Sequence, residues 1–252
     1  MSRAGGHVIT VNEILASRFR ALGCDTVVAP NYPRRGDYNE LPVDQAFETL
    51  AEGRTVALYV GKLSRDRGIH RLIDLMPRLA EDVPEILLFL LGKPASPSVG
   101  EGIVEWIEEL GVSSHVIVRG PVDQTGVRAA LRVADIGVSL LLPVNRRFHL
   151  SEPMKVFEYA AAGLPILASD LKSQARLVAS MGNGIVVDPD NDSAVVEAVR
   201  RLSRDAQLRH RLGTGGREVF RRQYCWEAVE PDLVEFIHRS ARLHCGDQEA
   251  EL

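Results

Sequence analysis

At 252 residues, with 45% hydrophobic and 6% aromatic side chains, the chain has enough apolar material for one sizeable core or two small ones, which excludes a wholly disordered polymer. Its net charge of -4 gives no general pull toward nucleic acid, although almost all its positive charge is arginine. Cys24, Cys225 and Cys245 stand too far apart for a zinc or redox motif or a secreted disulfide scaffold, so a cytoplasmic setting is expected. In chain order, Val8 to Val11 reads as a strand, Glu13 to Leu22 as a helix and Thr26 to Ala29 as a second strand, closed by the turn Pro30-Asn31-Tyr32-Pro33. A polar stretch from Arg34 to about Asp44 reads as a linker. From Arg54 onward, apolar runs alternate with amphipathic helical stretches: Val56 to Val60, Ile86 to Leu91, Val116 to Val118, Ile136 to Leu142, Pro165 to Ala168 and Ile185 to Val187. Ile69, Leu72, Ile73, Met76 and Leu79 recur at helical spacing between the first two. The pattern predicts an α/β fold, a Rossmann-like doubly wound parallel sheet, with a helical C-terminus. Past Pro189, Asp192 or Ser193 is the expected cap, and a last helix starts near Trp226.

The longest unbroken apolar run, Ile86 to Leu91, is too short to span a bilayer, and the opening MSRAGGHVITVNE has no secretory apolar region. A soluble protein is expected, with docking at a membrane surface left open. The histidines show no metal-ligand spacing, and no P-loop, dinucleotide fingerprint or nucleophile elbow appears.

Ligands of a doubly wound sheet bind beyond the carboxyl ends of its strands, so the turns there are where chemistry is sought. After Val60, Gly61 to Gly68 offers two glycines for close backbone approach and the charges of Lys62 and Arg67 for a diphosphate. A helix expected to start near Ser151, with Glu152 in its first turn and Pro153 tolerated there, would turn unpaired amides and a positive dipole end toward the same region. Glu158 lies two turns along, where a carboxylate can take paired hydrogen bonds from a ribose diol. Gly120-Pro121-Val122 follows another strand, with backbone groups suited to a base edge. Each of these features can also be read as an ordinary solvated loop or helix residue.

Taken together, these segments resemble the retaining glycosyltransferases of the GT-B fold, family 4, related to glycogen synthase and bacterial mannosyltransferases. "ALYVGKLSRDRGIHRLIDLMPRL" is similar to their Gly-Arg-Leu…Lys-Gly segment, and "EPMKVFEYAAAGLPILASDL" to their glutamate signature followed by small residues, Gly, x and Pro. "LLFLLGK", "VIVRGPVD", "ALRVADIGVSLL" and "YCWEAVEPDLVEF" extend the match over roughly residues 54 to 238. The resemblance implies a C-terminal donor-binding domain. Lys62 and Arg67 would bind the donor diphosphate in exchanged positions, Lys for Arg and Arg for Lys, which keeps charge but alters geometry. Glu158 matches the second signature glutamate, which holds the ribose. The first falls on Leu150, with Glu152 nearby as in the Pro-x-Lys-x-x-Glu-Tyr variant.

The expected site is therefore Lys62, Arg67 and Glu152 as catalytic residues, with Gly61, Gly120, Val122, Ser151, Pro153, Met154, Lys155 and Glu158 binding the donor and no metal. The donor implied is a nucleoside diphosphate sugar, UDP- or GDP-linked, transferred with retention of configuration and no obligatory cofactor. The acceptor is a sugar, a lipid-linked sugar or a small molecule; nucleic acid is not a partner. "HVITVNEILASRFRALGCDTVVAPNYP" resembles the tail of the family's N-terminal domain. Residues 1 to 44 are thus expected as a remnant and hinge, 45 to 245 as the donor domain and 246 to 252 as a frayed tail. The missing acceptor half points to a fragment, a partner chain supplying the N-terminal domain, or loss of catalysis. Two alternatives remain: a non-catalytic nucleotide-sugar-binding subunit, and a sugar-nucleotide epimerase.

Overall fold

The computed structural model describes residues 6 to 149 and 152 to 249. Its contacts divide the chain into two units, one of residues 1–36 with 221–252 and one of residues 37–220. The first opens with strand β1 (His7–Thr10), helix α1 (Glu13–Ala21) and strand β2 (Asp25–Val28), the strands paired in parallel. Asn12 starts α1 by accepting the Leu15 N–H at 2.9 Å. Ile9, Val11 and Leu22 are exposed.

The second unit begins differently from the polar linker expected there. Tyr38 ends a short 3-10 turn, is buried, and sets its ring edge-on to Phe220 at 6.2 Å, so one aromatic anchors an otherwise polar run. Asp44 then caps helix α2 (Gln45–Ala51), accepting from Ala46 and Phe47. Strands β3 (Thr55–Val60), β4 (Ile86–Leu91), β5 (Val116–Arg119), β6 (Ile136–Ser139), β7 (Ile166–Ser169) and β8 (Gly184–Val187) alternate with helices α3 (Ile69–Asp82), α4 (Pro97–Glu109), α5 (Gln124–Val133), α6 (Met154–Ala162) and α7 (Lys172–Met181). The sheet is parallel throughout, in the order β5-β4-β3-β6-β7-β8. Every residue of β4 is buried, as covering by helices on both faces requires. On α3, the helical repeat Ile69, Leu72, Ile73, Met76 and Leu79 is buried against it, each side chain contributing up to about 1.5–3 kcal/mol.

Helices α8 (Asp192–Arg204) and α9 (Ala206–Val219) follow. Asn191 caps α8 by accepting the Ala194 N–H at 3.1 Å, one residue before the expected Asp192 or Ser193, because an amide oxygen just ahead of the first turn reaches that donor directly. Helix α10 (Trp226–Glu249) starts where the sequence placed it but packs with the first unit. Arg239 pairs with Asp25 at 2.9 Å, Phe236 meets the His7 ring edge-on at 5.9 Å, and the Glu227 carboxylate accepts the Arg35 N–H. Contacts therefore group the last helix with the N-terminal strands, whereas the sequence reading placed it, to residue 245, in the sheet domain. Among the described residues no helix is long and apolar enough to cross a membrane.

Candidate functional site

The strand order turns back between β3 and β6, the switch point at which a doubly wound sheet opens a crevice. Pairing there covers only Ala57 with Ile136 and Leu58 with Gly137, so the two strands part at their carboxyl ends. This is why β6 stops at Ser139 and does not run to Leu142 as its apolar composition suggested. Tyr159 of α6 fills the wedge. Its hydroxyl accepts the Val60 N–H at 3.1 Å and donates toward the carbonyls of Leu58 or Val138, at 3.1 and 3.2 Å.

One wall of the crevice is the segment after β3, and the strand ladder continues into it. Gly61 N–H donates to Leu91 O, Leu63 N–H to Lys93 O and Ala95 N–H to Leu63 O, each at 2.9 Å. Gly92 permits this contact, since a Cβ there would stand 1.8 Å from the Gly61 oxygen. A 3-10 turn over Arg65–Arg67 follows, ended by Gly68 in the left-handed region at φ 75° with Leu140 O pressed against it. The Arg67 guanidinium lies 5.7 Å from the Phe148 ring centroid.

The opposite wall is the segment before α6 and the first turns of that helix. Ser151, expected as the cap, lies outside the described residues. The helix begins at Met154, with Pro153 in the capping position and no side-chain cap. Glu152 is thereby excluded from the helix, because a residue before proline is driven to extended backbone. Val156 N–H donates to Pro153 O at 3.0 Å, but the uncapped start supplies no side-chain acceptor for the N–H groups of Met154 and Lys155, two residues that line the crevice.

Val60, Gly61, Arg67, Leu141, Phe148, Pro153, Met154, Lys155 and Glu158 line a cavity of about 350 Å³. Of the expected residues, the structure thus brings Gly61, Arg67, Pro153, Met154, Lys155 and Glu158 together. Lys62 does not line it; its side chain is exposed and its carbonyl accepts the Tyr59 hydroxyl at 2.8 Å. Glu152 faces Arg176 of α7, at 3.7 Å, and burial moves its carboxyl above the ordinary range against that cation. Gly120 and Val122 are exposed beyond β5, two strands from β3 along the same sheet edge. Phe148 and Tyr159 are absent from the expected site; the signals for Tyr159 are its place at the end of Pro-x-Lys-x-x-Glu-Tyr and Gly137 opposite it, where a Cβ would sit 2.4 Å from the ring.

Lys155 has the most unusual surroundings. It is 6% exposed, its Nζ has no hydrogen-bond partner, and the amine sits 3.5 Å from the centroid of the Tyr59 ring. Burial first, then the charge of Arg67, holds the amine well below the ordinary lysine range; Glu158 opposes them. The pull of a ring face on an ammonium, on the order of 2 kcal/mol when desolvated, is smaller than the several kcal/mol of taking an ion out of water. Burial likewise raises Glu158, which Lys155 counters only in part.

A Rossmann-like parallel sheet with its cavity at the switch point places the chain among α/β ligand-binding domains. Within that class it belongs to the family described as Glycosyl transferases group 1, which residues 42–219 match. It is 28% identical over 223 residues to a phosphatidyl-myo-inositol mannosyltransferase of Mycobacterium leprae, covering 87% of this chain and 56% of the relative. The fold matches Anabaena HepE, solved with UDP and glucose, at a TM-score of 0.74 and 17% identity, over 93% of this chain and 63% of that one. It also matches the C-terminal domain of a Francisella tularensis group 1 family protein, LpcC, at a TM-score of 0.62 and 16% identity, over 76% of this chain and 98% of that one. The chain spans about half the length of the curated relatives it matches.

Proposed function

We propose that this chain carries the donor half of a retaining glycosyltransferase that moves a sugar from a nucleoside diphosphate sugar to an acceptor, with no obligatory metal. The observation that carries the reading is the convergence of Gly61, Arg67, Lys155, the uncapped start of α6 and Glu158 on one cavity at the switch point. Cleaving a glycosyl phosphate bond leaves negative charge on the diphosphate. Arg67, Lys155 and first-turn amides are fixed partners for that charge, with the exposed Lys62 beside Gly61 as a further cation. Glu158, three residues past Lys155, takes the ribose diol. Glu152, held toward Arg176, is placed to orient the segment leading into α6 more than to touch the sugar. HepE, a solved neighbour, holds UDP and glucose, and the Mycobacterium leprae relative is named a mannosyltransferase, which supports a donor of this class. The acceptor is a sugar, a lipid-linked sugar or a small molecule, a partner chain would supply its site, and the setting is the cytoplasm.

Calorimetric titration with UDP, GDP and ADP and their sugar conjugates, without added metal, tests the reading. Saturable binding with a preference for one base is expected, weakened on the order of ten-fold or more in Glu158→Ala through loss of paired hydrogen bonds to a charged group. Equal binding by the variant would remove Glu158 from the site.

A further inference from the structure

Lys155 is buried, unpartnered and turned into the cavity, and a cation fixed there for every state of the protein would be costly whenever no anion is present. We propose that Lys155 is a proton-coupled anchor: uncharged without ligand, it takes one proton from solvent as the diphosphate of a nucleotide donor enters, and holds it as an ammonium. The inference rests on the donor reading above and adds a stoichiometric proton to it.

The geometry leaves the amine few alternatives. Nζ has no hydrogen-bond partner in its surroundings, and a Cβ placed on Gly61 would come within 3.5 Å of it, so the missing side chain of Gly61 leaves the amine next to bare backbone in the cavity that both residues line. The titratable and charged groups facing it are Tyr59 from β3, Arg67 from the segment after β3 and Glu158 from its own helix. Arg67 repels a second cation. Glu158 favours one, but burial pushes its carboxyl toward the protonated, uncharged form. A diphosphate brings negative charge next to both cationic groups and reverses this balance.

No covalent bond to phosphorus is made. The neutral amine gains a proton, a buffer molecule loses one, and the proton returns to solvent when the diphosphate leaves. Linkage then requires affinity for the diphosphate to fall as pH rises above neutrality, by up to about ten-fold per pH unit. A proton effect governed by Glu158, which must ionise to accept the diol, has the opposite sign.

The experiment is calorimetry of the full chain with UDP and with GDP at one neutral pH, in two buffers of different ionisation enthalpy, repeated across alkaline pH. Net proton uptake by the wild type is expected to exceed that of Lys155→Met by roughly one proton per bound diphosphate, whatever Glu158 releases, with affinity weakening toward alkaline pH. In Lys155→Met that proton disappears and binding weakens; in Lys155→Arg, whose charge is permanent, binding proceeds without it. Saturable binding with the same net uptake in the wild type and in Lys155→Met overturns the proposal. If neither variant folds, the wild-type pH dependence decides, because strengthening toward alkaline pH contradicts it. Absence of saturable binding by either nucleotide fails the donor reading itself and takes the proton step with it.

Discussion

Lys155 and Glu158 sit three residues apart on α6, and burial pushes both toward their neutral forms, so the stability of the fold should record each with its own sign. The unfolded chain holds a proton on Lys155 that the folded chain lacks, so this residue makes stability rise with pH toward the ordinary lysine range. Glu158 works in the other direction: above its ordinary value of 4.5 the folded chain keeps a proton that the unfolded chain has lost, and stability falls with pH through that window. Lys155→Met is expected to abolish the alkaline rise and, by removing an unpartnered buried amine, to stabilise the protein at neutral pH by about 1–3 kcal/mol. Thermal melts across acid to alkaline pH would show it, and a destabilised Lys155→Met with an unchanged slope would contradict it. Glu158 was legible from its spacing past Ser151, and Lys155 from its place after Pro153. The burial of Lys155 was not, because lysine is almost never fully buried without a partner. Nor was the turn of Glu152 toward Arg176, which depends on where α7 lies.

At the scale of elements, the alternation of apolar runs with helical stretches located every strand of the large sheet. The errors fall at ends that another element controls. β6 is cut short because β3 diverges from it, and α6 starts late because Pro153 dictates the backbone ahead of it. The turn at Gly68 gives a direct test of the wall it closes. With φ at 75° and a Cβ that would sit 2.0 Å from Leu140 O, Gly68→Ala is expected to destabilise by about 1–3 kcal/mol or more, through strain and overpacking together. Gly120→Ala, with open space around it and no unusual φ, should be close to neutral. Urea midpoints for the two variants make the comparison, and similar midpoints would refute the close packing of Gly68 on Leu140.

At the scale of the whole molecule, all the residues lining the cavity belong to the unit of residues 37–220, which has its own sheet and its own core. A chain of residues 37 to 220 alone is therefore expected to unfold in one cooperative transition and to bind the same nucleotide as the full protein. A noncooperative melt, or loss of binding in a folded fragment, would show that the other unit completes the site. The other unit is discontinuous: β1 and β2 meet α10 through His7–Phe236 and Asp25–Arg239, and the segment after β2 through Arg35–Glu227. That has a consequence in time. On a ribosome adding about 5–20 residues per second, the first strands wait on the order of ten to forty seconds for their helix, while all of residues 37–220 is made between them. During that interval the surface that α10 meets at His7 and Asp25 lies open beside Ile9, Val11 and Leu22, which stay exposed even in the finished chain, and such nascent apolar surface is the kind that chaperones hold.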